Sequence, residues 1–166
     1  MSFKNAWKAT CSAREVSGFS PTMHVPDGYK FMLQPVIFSG PCNSETVNVM
    51  HPVILQNGSA TEVTAVNGHT EINGLYIYGF GTINTQGTKW WGSSNVNRTR
   101  KYHGSKPTDS PQMHMALERS TWVYVYNLTI TALGDDCISI GDGSSYLNIS
   151  MIACGPGHGI RYKRAI

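Results

Sequence analysis

The sequence predicts an all-β chain with one short N-terminal helix, and three observations carry that reading. Charged residues make up only 14% of the 166 residues, against about 25% in soluble domains. Helical bundles cover their exposed faces with Glu, Lys and Arg, so this chain is too poor in charge to be one. Its 17 glycines, with many Ser, Thr and Asn, suit a chain spent on turns. Past Gly18 the apolar residues fall in short extended runs without a 3.6-residue period. The 40% hydrophobic content argues against disorder. The length suits a single domain over residues 1–166.

The elements follow in order. Residues 1–14 hold the helix, because Phe3, Ala6, Trp7 and Cys11 fall near a 3.6-residue period. Strand-like runs follow at 31–36, 46–50, 53–56, 75–78, 122–130, 137–140 and 147–152, separated by clusters of Gly, Pro, Asn or Asp. Within 122–130 the inward face is marked by Val123 and Val125, then by Leu128 and Ile130. That single shift of phase predicts a bend between two strands. A parallel sheet normally needs helical crossovers, and none is legible after residue 14. Two architectures remain open on pattern alone: an antiparallel sandwich, or a parallel β-helix whose short coils stack on one another. Asn127 and Asn148, each before an apolar-polar pair, are candidates for a ladder of turn asparagines.

Charge and composition exclude several functions. The net charge of +3 is too small for a nucleic-acid binder, and the basic clusters at 98–106 and in the last six residues read as solvated loops. No window approaches the roughly 18 apolar residues of a membrane span. The start carries Lys4 and Lys8 but no apolar core of a signal peptide. Sequons nevertheless begin at Asn57, Asn97, Asn127 and Asn148, as on a surface exposed to the secretory pathway. A secreted protein whose leader is missing from this sequence is therefore expected. Cys11, Cys42, Cys137 and Cys154 allow three pairings, and their arrangement as an early and a late pair suggests two local disulfides.

The densest chemistry lies in segment 134–143, GDDCISIGDG, and segment 154–160, CGPGHGI. Asp135 and Asp136 are adjacent, and in a regular strand neighbours face opposite ways, so both reach one cleft only at a bend. Two carboxyls sharing a cleft repel, which keeps one protonated, and one acid with one base is what glycoside hydrolysis requires. His158, between Gly157 and Gly159, has no adjacent side chain to obstruct a ligand. Alone, an Asp-Asp pair reads better as a solvated turn, and a lone His more often as a satisfied loop residue. The specificity is in the combination.

Those two segments resemble the signature segments of plant polygalacturonases, the pectin-cleaving enzymes of glycoside hydrolase family 28. The resemblance extends upstream through AWKATCS, VPDGYKFMLQPVIFSGPC, INGLYIYGFGTINTQGTKWW, SPQMHM and NLTITA, in the family's order. It covers most of this chain, which is well under half of a usual member. It implies a right-handed parallel β-helix, here shortened, and hydrolysis of α-1,4-galacturonosyl linkages in pectin with inversion. Asp135 would be the general acid and Asp136 would help activate water on the opposite face of the sugar. His158 would support the acid's protonation state. Cys137 would pair with Cys154, and Cys11 with Cys42. A basic subsite would hold the substrate's carboxylates, and the protein would be a secreted cell-wall monomer needing no cofactor.

Departures from the family pattern bear on competence. Members carry a third catalytic Asp in an NTDG segment, but here Ala132 and Leu133 run directly into Gly134. Lys106-Pro107-Thr108 likewise runs into Asp109-Ser110-Pro111, where members have a further coil. After Ile160 members continue with SIGSLG and later RIK, whereas here Arg161-Tyr162-Lys163 follows at once. Arg161 and Lys163 are thus the candidates for the substrate-binding pair, at a position that differs from the family's. A competing reading is a catalytically inactive β-helix that at most binds pectic polysaccharide. Another is a calcium-dependent pectate lyase using Asp135, Asp136 and Asp142, which the DDC and GHG segments match less well. The Cys137, Cys154 and His158 spacing is not that of a zinc site, so no metal is expected, and no phosphate loop is present.

Overall fold

The computed structural model describes residues 2–26, 29, 31–33, 37–50, 54–56, 61–64, 72–84, 113–131, 136–155 and 158–162. Among the described residues helix α1 (Phe3–Ser12) precedes twelve strands: β1 (Thr22–His24), β2 (Phe31–Leu33), β3 (Val47–Met50), β4 (Ile54–Gln56), β5 (Thr61–Thr64) and β6 (Ile72–Tyr78), then β7 (Thr82–Asn84), β8 (Met113–Glu118), β9 (Ser120–Thr131), β10 (Asp136–Ile140), β11 (Ser145–Gly155) and β12 (Gly159–Tyr162). Every pairing between these strands is parallel. Consecutive strands do not pair with each other. Each pairs with the equivalent strand one coil away, which decides for the parallel β-helix over the sandwich.

Three columns of strands result. The first stacks β1, β3, β6, the first part of β9 and the first part of β11. The second stacks β2, β4, β7 and the last residues of β9. The third stacks β5, β8, β10 and β12. Strand β9 belongs to two columns because it turns a corner at Asn127, whose φ is 58°. That corner is the bend expected from the phase shift. Met151, at φ 53°, makes the matching corner in β11, lying beside Asn127 in register. The two asparagines therefore form no ladder with each other, since Asn148 pairs with Tyr124 on the strand.

Alternation sorts the first column into an inner and an outer face. Met23, Val49, Ile77, Val125 and Ile149 are successive register partners, as are Val47, Leu75, Val123 and Leu147. All belong to or pack against one apolar core. The outer face carries Tyr76 on Tyr124 at 4.4 Å and Tyr78 on Tyr126 at 5.3 Å, the ring planes within 10° of parallel. Those separations sit near the strand spacing of about 4.8 Å, so the stacking follows from the register.

Helix α1 seals the first coil. The Ser2 hydroxyl accepts from the Asn5 N–H at 3.3 Å and caps its start. Trp7 and Cys11, one turn apart, are buried against the core. The Trp7 indole donates to the Ser39 carbonyl at 3.0 Å, and a disulfide ties Cys11 to Cys42.

Candidate active site

The third column carries the candidate catalytic residues. Strand β10 is buried along nearly its whole length, and Asp136 at its start is 1% exposed. Asp136 pairs with Met113 of β8 on one side and Gly159 of β12 on the other. The next partner of β12, Ile160, faces Ile138 rather than Cys137, so β10 bulges by one residue at Cys137. A bulge kinks the strand and re-aims its side chains, and bulges gather beside active sites. This irregularity lies immediately after Asp136. Asp135 itself lies outside the described residues.

The stacking of β12 on β10 brings two basic side chains to the buried carboxylate. The Arg161 Nε lies 3.2 Å from the Asp136 Oδ1, and the His158 Nδ1 lies 4.0 Å from the same oxygen. Both basic side chains are more than half exposed, so the group has a buried anionic floor and a wetted cationic rim. An ionised carboxylate in such a place needs a paired charge, and the guanidinium supplies it. The Cys137–Cys154 disulfide, with Cα atoms 6.2 Å apart, joins the bulge to the end of β11 just ahead of His158. Both disulfides match the pairing that the resemblance implied.

The sequence placed Asp136, His158 and Arg161 among its candidates, and the fold brings all three together. It did not reveal that Arg161 contacts Asp136. Twenty-five positions separate them, and only the β10–β12 register makes them neighbours. Lys163 lies outside the described residues. Asp142, a ligand candidate in the lyase reading, is in the turn after β10, where its carbonyl accepts from the Arg119 N–H at 3.1 Å. Among the described residues no three His, Cys, Asp or Glu side chains gather closely enough to hold a metal ion.

Comparison with known proteins places these segments in context. The family model for glycosyl hydrolases family 28 matches residues 11–115 and 103–161. A probable polygalacturonase of Arabidopsis thaliana is 32% identical over 206 positions, covering 95% of this chain and 42% of that protein. A polygalacturonase of Persea americana is 28% identical, covering 95% and 44% respectively, and polygalacturonase-2 of Solanum lycopersicum is 28% identical, covering 96% and 44%. No solved structure matches. The chain thus spans less than half the length of these relatives. Because 206 aligned positions exceed the 166 residues present, the Arabidopsis protein also carries internal segments that this chain lacks. A parallel β-helix and a matching family model over most of its length identify the chain as a member of glycosyl hydrolases family 28.

Proposed function

We propose that the chain is a polygalacturonase-like glycoside hydrolase acting on α-1,4-galacturonosyl linkages of pectin by inversion, with turnover impaired by its shortened form. The observation that carries this reading is the buried Asp136 carboxylate held at a bulge beneath His158 and Arg161. An inverting site needs an acid on one side of the glycosidic bond and a base on the other, with a water between base and sugar. Asp135 protonates the glycosidic oxygen as the bond to the anomeric carbon breaks. Asp136 takes a proton from the water that attacks that carbon from the opposite face. His158 supports the protonation state of the acid. The Arg161 guanidinium pairs with the Asp136 carboxylate at 3.2 Å and holds it in place. The guanidinium has five N–H donors, so the Nε contact with Asp136 leaves others to bind a uronate carboxylate, with Lys163 as a second cation.

Impairment follows from what is absent within the chain by comparison with the family: the third catalytic Asp with its coil. Losing one member of a coupled catalytic set commonly costs several orders of magnitude. The sequons and disulfides support secretion to the cell wall, where the chain acts as a single-domain monomer on pectic polysaccharide. Reducing-end release from polygalacturonate, with and without a chelator, tests the reading when run beside ultraviolet absorbance of unsaturated uronides. Chelator-insensitive release without that absorbance is expected. Chelator-sensitive formation of unsaturated product would make the chain a lyase, and binding without any release would make it an inactive binder.

A further inference from the structure

Two of the sequons fall on described strands, and the fold treats them differently. In Asn148-Ile149-Ser150 the first and third residues are exposed on the outer face of β11, while Ile149 packs inward. Strand β11 is the last of its column among the described residues. In Asn127-Leu128-Thr129 the asparagine is half-buried at the left-handed corner of β9. Met151 of the following coil lies beside it in register, and Tyr78 of the preceding coil pairs with the adjacent Tyr126. A glycan on Asn127 would have to pass between coils, whereas Asn148 is exposed on a strand on which no further coil is stacked among the described residues.

Beside Asn148 lies an aromatic surface with no part in the candidate active site. Tyr146, 65% exposed, stacks on Trp122, 46% exposed, with ring centroids 4.3 Å apart and planes within 6°. Tyr146 precedes Asn148 by two residues on the same strand, and the register partner of Asn148 is Tyr124. Exposed apolar surface of this kind marks a contact site. The face belongs to the sheet containing β9 and β11, whereas Asp136 and Arg161 belong to the other sheet. A sugar tethered two residues away has a high effective concentration at these rings, which a diffusing partner lacks. The C–H face and N-acetyl group of a hexosamine also suit an aromatic ring with polar surroundings.

We infer that Asn148 carries an N-linked glycan whose first N-acetylhexosamine packs against the Trp122–Tyr146 stack. The inference rests on the secreted reading given above. In the step, the Asn148 amide nitrogen forms a bond to the anomeric carbon of a lipid-pyrophosphate-linked oligosaccharide. The bond from that carbon to the pyrophosphate oxygen breaks, the amide nitrogen gives up one proton, and the lipid pyrophosphate departs. The cell's transferase catalyses the exchange and recognises the Ser150 hydroxyl.

The full chain behind an added cleavable leader, translated with microsomes and secreted from a eukaryotic cell line, tests this. The added leader makes the test independent of the chain's own route, and glycan count is independent of pectin hydrolysis, so failure here leaves the hydrolase reading standing. Asn148→Gln and Ser150→Ala should each lose one glycan by gel shift, and Asn127→Gln should lose none. An unchanged glycan count in Asn148→Gln would overturn the site, and the microsomal reaction reads it even where a variant is not secreted. For the packing, acrylamide quenching of tryptophan fluorescence should rise after complete glycan removal but not after trimming to the first sugar, and Trp122→Phe should abolish the difference. Quenching indifferent to the glycan, or reduced instead by added oligogalacturonate, would overturn the packing.

Discussion

Replacing Gly74 by Ala tests the corner about which the coils stack. Gly74 of β6 has φ +74°, and its register neighbours in the next coils, Trp122 and Tyr146, hold φ 56° and 52°. Left-handed backbone costs an L-residue about 1–2 kcal/mol. Trp122 and Tyr146 bear that cost while stacking their rings outside the coil. At Gly74 a Cβ would also run into the backbone carbonyl of Glu45, just ahead of β3, and such overpacking costs roughly 1–3 kcal/mol more. The total is about 2–5 kcal/mol. Gly18 is the control: its φ is +79° and a Cβ there meets nothing within 4 Å. Only the strain of about 1–2 kcal/mol applies to it. With a slope of about 2 kcal/mol per molar urea, Gly74→Ala should lower the unfolding midpoint by about 1–2.5 M, and Gly18→Ala by no more than about 1 M. Urea titration followed by far-UV circular dichroism reads both. Equal shifts in the two variants would refute the claim that close approach of coils, and not backbone conformation alone, fixes this position.

Replacing both Cys137 and Cys154 by Ser should cost about 3 kcal/mol in the loop-entropy account, given their separation of 17 positions; a thermal melt against wild type checks it. Arg161→Gln removes the guanidinium that lies 3.2 Å from the buried Asp136 carboxylate. Because Arg161 is half exposed, the loss should be about 1–2 kcal/mol, between the values for surface and buried pairs, as read by urea titration. Tyr76 and Tyr78 have pKa values raised from 10.0, first by burial and then by the facing Tyr124 and Tyr126. The folded state thus holds these protons more tightly than the unfolded chain. The resulting stability is fully present below pH 10 and lost as pH rises through the raised values. Melts across that range should fall less steeply for Tyr76→Phe/Tyr78→Phe, and identical slopes would contradict the stacked register.

The parts of the fold legible in sequence were those whose side chains carry the alternation. Val47, Val49, Val123 and Val125 announce their strands, and the change of phase before Leu128 announces the corner at Asn127. Strands β1, β5, β7, β8 and β12 were not legible. Segments as short as Thr22–His24 or Gly159–Tyr162 contain too few residues for a period, and they are extended because a neighbouring coil offers its backbone. The same reason hid half of the site. Asp136 and His158 stand in recognisable segments, but the bulge at Cys137 and the Arg161 contact exist only in the register between β10 and β12. Register in a stacked coil is a property of the stack, so no local window contains it.

The most direct test of the central claim, that Asp136 lies in a polygalacturonan-cleaving site, is reducing-end release from polygalacturonate by purified, folded chain and by its Asp136→Asn variant. An amide of nearly the same shape keeps the fold but cannot accept the proton from the attacking water. The account predicts a wild-type rate several orders of magnitude below that of a full-length relative, and no release above background from Asp136→Asn. Equal release by wild type and Asp136→Asn would contradict it.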